Sequence, residues 1–594
     1  MQKKLVLFGD LQLHTSYSAD AYIGGVRITP DEAYRFAKGE AVEYLGSPVM
    51  RREPLDFIAV TDHAENLGVF NGLEDPSTKI SCTEAGRRFE KVMTAVRGEN
   101  GFADPKRIVD NPELVDEINA IEADFFWGRK NMLPVELKTE CEMAWRREIE
   151  AANRHYEPGR FTTFIAYEWT SNPYGANLHR VVIFEGDSAP MPFSSFDSKY
   201  PEDLWSWLNE VRSQGFEAIA IPHNSNASAG LMYEWLDSTS QRIDAKYATA
   251  RQINEPVCEI SQSKGASETH PELSPSDQFA DFKIFDFQAG RRRYLGRPDG
   301  SYLSSALGKG LLLHRKIGVN PYKLGFVGGS DLHGGLSVSS EMDYCGDGYL
   351  VNLGGGIPSR ARAADILQDR AFGLWTTSGS LTGVWAERNT REAIYSSLRR
   401  RETFATSGTR VQIRLFGGWC FRKEMLDGSQ WVDAAYANGV SMGGELGHPA
   451  SGGLVPTFIA YAERDCNGAN LDRMQIVKVW EENEVYLSRV FDVAWSGERK
   501  LDENTGKVPD VGDTVDRATG RYLNSVGAAV LQVMWCDPNF DPTRYSAYYL
   551  RVLEIPTPRW STLVAAQNGL PLPDGVRAVE QQRAWSSPIW YSPG

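Results

Sequence analysis

The chain has 594 residues, 42% hydrophobic and 24% charged, with a formal net charge of −15 at pH 7. That length exceeds what one core comfortably buries, so at least two domains are expected. The acidic balance argues against a general nucleic-acid or anionic-membrane surface. It leaves room for an anionic substrate, because bound divalent cations would invert the local field. The seven Cys are scattered and never spaced C-x-x-C, which argues for reduced thiols over a zinc ribbon or a disulfide scaffold. No stretch approaches membrane-spanning length, and the apolar run behind Met1-Gln2-Lys3-Lys4 is too short for a signal-peptide core. The expected compartment is the cytoplasm, or the periplasm if a leader has been removed.

Leu5 to Phe8 is an apolar run of strand length, followed by Gly9-Asp10-Leu11-Gln12-Leu13-His14. Asp10, Gln12 and His14 alternate with Leu11 and Leu13, so in extended backbone the three polar side chains share one face. Pro30 to Lys38 reads as a helix beginning at Asp31, and Leu55 to Val60 as a second buried strand running into Thr61-Asp62-His63. Residues 64–160 are rich in charges and helix formers, as in Glu84 to Arg97 and Glu140 to Ala152, and read as a helical insertion. Thr162 to Tyr167 is a strand ending in Glu168, and Leu178 to Phe184 is another, carrying His179 and Arg180. Pro201 to Gln214 is an amphipathic helix. The strand Ala218 to Ile221 ends in Pro222-His223-Asn224, Val257 to Ile260 holds Glu259, and Leu324 to Gly329 ends in Ser330-Asp331-Leu332-His333.

Six apolar runs are thus each followed by Asp, Glu or His, and five of the nine His fall in this set. In a parallel α/β barrel the active site is built from such strand ends. Ionisable groups rarely stand there by accident, since an unpaired buried one costs several kcal/mol or shifts its pKa until it is neutral. Past about residue 400 the texture changes. Arg401 to Thr406 reads as a last barrel strand, and Val411 to Phe416, Leu454 to Ala460, Met474 to Trp480, Val526 to Met534 and Tyr548 to Ile555 as strands between Gly, Asp and Pro turns. That pattern predicts a β-sandwich-like domain. The Pro- and Trp-rich end, Glu554 to Tyr591, is expected to pack back on the body without regular structure.

His, Asp and Glu without Cys is a ligand set for zinc, manganese or iron in a hydrolytic centre. A carboxylate bridging two cations holds them roughly 3.5–4 Å apart, close enough to share a nucleophile. The order of these motifs resembles the polymerase-and-histidinol-phosphatase (PHP) superfamily of metal-dependent phosphoesterases, and more closely the PHP-like family DUF3604. The second resemblance spans nearly the whole chain. It rests on Phe8-Gly9-Asp10, Tyr167 to Ser171, Asn177 to Arg180, Pro222 to Asn226, Gln262 to Glu268, Arg401 to Arg410 and Glu554 to Trp560.

The resemblance implies an α/β fold: a distorted seven-stranded (β/α) barrel over 1–408, with a β-rich domain over 409–594. It implies a trinuclear arrangement. Site one would use Gln12, His14, Glu168 and Asp331; site two Glu168, His179 and His223; site three Asp20, His63 and His333. Two to three divalent ions (Mn, Zn or Fe) are the implied cofactors. Gln12 departs from the family's His and offers only a neutral amide oxygen. Natural variation with altered metal preference, partial loss of catalysis and an engineered substitution all remain open for it.

Further candidates are Asp10 and Asp62 to orient imidazoles, Asn224 and Glu259 to contact substrate, and Arg180, Lys264 and Arg291-Arg292-Arg293 to clamp a phosphoryl group. Turn capping and a solvated surface are the plain alternatives for the aspartates and for the triple Arg. Glu168, His223, Asp331, His333, Arg180 and Asn224 form the expected catalytic set. The expected activity is hydrolysis of a small-molecule phosphate ester, with no nucleic-acid or membrane partner. A sulfate ester, lactone or amide substrate is the enzymatic rival, and a catalytically impaired binding protein is the other.

Overall fold

The apolar runs of the N-terminal two-thirds become β1 (Leu5–Asp10), β2 (Phe57–Ala59), β3 (Thr162–Trp169), β4 (Arg180–Phe184), β5 (Ala218–Pro222), β6 (Val257–Gln262), β7 (Gly325–Gly328), β8 (Leu381–Ala386) and β9 (Thr403–Thr406). These come from a computed structural model, which describes residues 4–96 and 135–593 except 45, 286, 289–291, 294–296, 348–357, 369–372, 429 and 450–452, together with 111, 113 and 117. β1, β2 and β3 pair in parallel. β4 then runs antiparallel to β3 across the short link 170–179, and β5 runs antiparallel to β4 although the link between those two holds a helix over Pro201–Ser213. On the other side β1 runs antiparallel to β8 and β8 to β9, while β6 and β7 form a separate parallel pair. Among the described residues the strands therefore do not close into one seven-stranded parallel ladder. The arrangement is mixed α/β around a large sheet.

Side-chain alternation explains why these strands are buried on both faces. Val181 and Ile183 join one apolar cluster with Leu7, Leu11, Phe57 and Phe164, whereas Val182 and Phe184 join another with Trp145 and Trp205. Each such fully buried side chain stabilises the fold by about 1.5–3 kcal/mol. The helices covering the sheet are α1 (Pro30–Ala37), α2 (Val135–His155), α3 (Pro201–Ser213), α4 (Ala245–Asn254), α5 (Leu303–Ile317) and α6 (Arg391–Arg399). α1 opens with a capping box, in which Thr29 and Glu32 satisfy each other's free N–H groups. α5 does not stand out as a helix in the sequence because Gly308 and Gly310 interrupt it. Gly308 is needed there: a Cβ would lie 2.2 Å from the Tyr486 ring. The expected insertion supplies Glu84–Val96 and α2, whose Phe89, Leu137 and Cys141 pack with Ala19 and Tyr22 beside Asp20. The middle of the insertion lies outside the described residues.

Past residue 409 come β10 (Gln412–Gly418), β11 (Thr457–Glu463), β12 (Leu471–Glu482), β13 (Val485–Trp495), β14 (Val530–Cys536), β15 (Ser546–Glu554), β16 (Arg583–Ser586) and β17 (Ile589–Tyr591). β10, β11 and β14 form one sheet, and β12, β13 and β15–β17 belong to another. The two face each other through Phe458 against Tyr548 at 4.6 Å and Phe491 against Trp535 at 5.1 Å. The second sheet runs on through β16–β9 pairing to β8 and β1, so hydrogen bonding is continuous across residue 408. One expectation for this region is corrected. The final segment is regular, with a helix at Trp560–Asn568 and with β16 and β17 inserted beside β15. Trp431–Asn438 adds a further helix past residue 400. All seven cysteines are unpaired.

Glu554, at the end of β15, is buried with its Oε1 unpartnered. Burial, reinforced by the negative charge of Asp465, pushes its carboxyl from an ordinary 4.5 up to about 8. Between those values the unfolded chain releases this proton while the folded chain keeps it, so stability falls as pH rises and levels off above about 8. Glu554→Gln removes that dependence. The variant's melting temperature should gain on the unmodified chain as pH rises from 5 to 8, and thermal melts across that range check it.

Candidate metal centre

The segments just beyond the strand ends are stitched to one another. His14 N donates to Leu332 O at 3.1 Å, Asp331 N to Gln12 O at 2.9 Å, Thr61 N to Leu13 O at 2.8 Å and Ala64 N to Glu168 O at 2.8 Å. Asp10 strengthens the first of these joints, its Oδ1 accepting from Gln12 N and Ser330 N and its Oδ2 from the Ser337 hydroxyl. Residues over three hundred positions apart are thereby set side by side.

Into this space project all nine expected ligands. Glu168 is the hub: its Oε2 lies 3.1 Å from His14 Nε2, 3.3 Å from His223 Nε2 and 3.1 Å from Gln12 Nε2. Its Oε1 lies 3.1 Å from His179 Nδ1 and 3.3 Å from His63 Nδ1. Asp331 Oδ1 is 3.1 Å from His14 Nε2, and Asp20 Oδ2 is 3.1 Å from His333 Nε2 and 3.4 Å from His63 Nε2. Three sets of ligand atoms each fall within 4.8 Å of one another: His14, His63 and His333; Glu168, His179 and His223; His14, Glu168 and Asp331.

Neighbouring groups fix how the rings face. Ser18 Oγ, itself donating to Asp62 Oδ1 at 2.6 Å, sits 2.9 Å from His14 Nδ1 and so leaves Nε2 facing the cavity. Asn172 Oδ1 does the same for His179, at 2.8 Å from Nε2. Thr170 Oγ1 lies 2.6 Å from His63 Nδ1 and 2.8 Å from Glu168 Oε1. Two residues of the site hold left-handed backbone despite having side chains, Asp331 at φ +51° and Asn224 at φ +48°. Such strain persists only where the surroundings over-determine it.

Burial by itself would raise the Glu168 and Asp20 carboxyls. His223, His63 and His179 around Glu168, and His333 and His63 around Asp20, outweigh it and hold both well below the usual carboxylate range. Conversely, burial would lower His333, but Asp20 brings it up to about 10. The donor set fits a divalent cation on a separate ground as well. Gln12 Oε1 and His223 Nδ1 are buried without a hydrogen-bond partner, and buried polar atoms are seldom left so.

The remaining candidates are placed differently from expectation. Arg180 is opposite Trp169 in the β3–β4 register, while Glu168 is opposite Val181. Alternation thus turns Arg180 away from Glu168, and its guanidinium pairs with Glu255 at 3.0 Å. It is no phosphoryl clamp. Asn224 has both ends of its amide engaged, accepting from Asn177 and donating to Asn226. Glu259 Oε1 accepts from Asn224 N and Gln262 Nε2, so it braces the strand-end loops. Gly329 keeps this corner open, since a Cβ there would lie 3.0 Å from Glu259 Oε2. Lys264 is ion-paired with Asp331 at 2.7 Å. Arg291 lies outside the described residues, and Arg292–Arg293 form a short ribbon with Phe287–Gln288. Asp347 is an addition: its Oδ1 accepts from His333 N at 2.8 Å. It follows no apolar run, so no strand-end signal marks it.

Buried imidazoles and carboxylates gathered round one glutamate make this an α/β protein with a candidate metal centre. A family model described as "Protein of unknown function (DUF3604)" matches residues 1–593, and the chain belongs to that family. No curated protein matches it. Among solved structures it is similar to a two-domain protein containing a predicted PHP-like metal-dependent phosphoesterase from Bacteroides vulgatus ATCC 8482. That similarity has 10% identity, 93% of this chain and 92% of the other covered, and a TM-score of 0.29. No helix among the described residues is long and apolar enough to cross a membrane.

Two substitutions separate orientation of ligands from scaffolding. Ser18→Ala frees the His14 ring and should lower metal affinity about 10–100-fold with the fold retained, measured by chelator competition. Among the described residues, Arg180→Ala leaves Glu255 with Arg251 as its one charged partner. It should cost about 3 kcal/mol in denaturant unfolding yet leave the metal content of folded protein unchanged.

Proposed function

We propose that the chain is a metal-dependent hydrolase of phosphate esters, working from a PHP-type centre at the rim of a distorted barrel formed by the ends of β1–β7. The observation that carries this reading is Glu168, a buried carboxylate with an oxygen toward each of two histidine groups. Divalent cations of the Mn, Zn or Fe type, two or three in number, would supply Lewis acidity and an activated water nucleophile. The chain's own residues do the rest. Glu168, His179 and His223 would hold one cation, and His14, Asp331 and the oxygen of Gln12 another. Asp20, His63 and His333 form the third set, on the side from which a leaving oxygen would depart. His333 keeps its Nε2 toward that side, because Asp331 O and Asp347 lie beside Nδ1.

The substrate is a small-molecule phosphate mono-, di- or triester, and the same centre acting on a sulfate ester, lactone or amide is the nearest rival. One observation favours a different reading, a centre that binds metal and ligand without turnover. Gln12 turns its amide N–H groups, which cannot ligate, toward Glu168.

Metal analysis and hydrolysis of p-nitrophenyl phosphate mono-, di- and triesters, beside the sulfate ester and a lactone, test these readings. The phosphate series should show the highest kcat/KM, and His223→Ala and Asp331→Ala should each lower it at least about 100-fold. Retained activity in both variants would refute the assignment. Replacing Gln12 by His decides between adapted and impaired. A rate gain of tenfold or more, about 1.4 kcal/mol, marks an impaired site, and no gain or a loss marks an adapted one.

A further inference from the structure

Lys264 stands at the tip of a two-residue hairpin, in which Ser261 pairs with Ala266 and Gln262 with Gly265. The tip is docked on the loop that carries Asp331, where Ser263 N donates to Ser330 O at 3.1 Å, and on the segment before β8, where Thr377 N donates to Ser263 O at 2.9 Å. There the Lys264 ammonium donates to Asp331 Oδ2 at 2.7 Å and to the main-chain oxygen of the same residue at 2.9 Å. Asp347 Oδ2 is 3.9 Å away. The other side-chain oxygen of Asp331, Oδ1, faces His14 Nε2.

We infer that Lys264 is a resident cation of the metal centre: its ammonium occupies one oxygen of Asp331 and leaves the other as a single metal ligand. The inference rests on the metal-centre reading above. Glu168, Asp331, Asp20 and Asp347 bring four carboxylates into one enclosed region, where their mutual repulsion is weakly screened. Among the described residues, Lys264 is the Lys or Arg whose ion pairs reach any of these four. Its two hydrogen bonds to Asp331, one to the side chain and one to the main chain, brace that left-handed residue with Oδ1 toward His14. The same charge repels any ion bound at Oδ1. Lys264 therefore keeps the ligands assembled in the absence of metal at the expense of metal affinity. It is a positioning residue, and the carboxylates it serves do not leave it free to clamp substrate.

The test compares the full chain with Lys264→Met and Lys264→Arg, each depleted of metal and then loaded with Mn or Zn. Without metal, the Met variant should melt below the unmodified chain. Metal should stabilise it more than it stabilises the unmodified chain, and release into EDTA should be slower by about tenfold or more. The Arg variant, which keeps the charge, should follow the unmodified chain. A Met variant that folds only with metal present supports the inference as well. Metal retention equal to or weaker than that of the unmodified chain overturns it, as does a Met variant that folds in neither condition. An unmodified chain that holds no metal defeats the metal centre itself. If that chain holds metal and the Met variant retains it no better, the failure is Lys264's alone.

Discussion

The charge of Glu168 is the constraint on which the rest of this structure depends. A carboxylate removed from water must be compensated by close, well-placed partners or it takes up a proton. Here the compensation comes from His14, His63, His179 and His223, each within 3.3 Å of one of its oxygens. None of these is adjacent to it in sequence, and all must arrive on the correct face with the correct nitrogen forward. The strand-end stitching, the hydroxyls and amides behind each ring, and the strained backbone of Asp331 all serve that requirement.

The C-terminal sheets bear on the site through charge of a different kind. Arg551 binds Glu268 and Asp277, and Tyr549 donates to Glu268 at 2.9 Å. These contacts tie the segment beginning at the Lys264 hairpin onto β15. Three guanidiniums, those of Arg473, Arg551 and Arg583, lie within 6 Å of the Phe279 ring in the same segment. The β-rich half is thus a buttress for the loop that presents Lys264 to Asp331. The ladder continuing from β9 into β16 makes that buttress part of the same sheet as β1.

Arg180 and Lys264 show how composition misleads about role. Both are cations within stretches that carry the family resemblance, Asn177 to Arg180 and Gln262 to Glu268, and both read as phosphoryl clamps for their charge. The register of β4 turns Arg180 to the far face, where Glu255 neutralises it. The hairpin geometry gives Lys264 an internal partner at 2.7 Å. In each case the nearest opposite charge is protein, and sequence proximity says nothing about which charge that is.

The sequence by itself marked the residues that gather at the candidate metal centre and most of the strands, for a local reason. A buried strand needs an apolar run, a ligand must follow its end, and both marks lie within a few residues of each other, as in Gly9 to His14 or Gly328 to His333. What only the tertiary structure decided depends on register and on distant partners. Glycines 308 and 310 hide α5 until Tyr486 is seen against it, and the antiparallel turn from β3 to β4 breaks the parallel series. β16 and β17 count as strands because distant strands supply their hydrogen bonds, β15 to both and β9 to β16. Asp347 joins the site because His333 N reaches it, and Lys264 is committed to Asp331 because the hairpin tip brings it there. Ligand chemistry is written in the local pattern, whereas the assignment of each charge to its partner is a property of the fold.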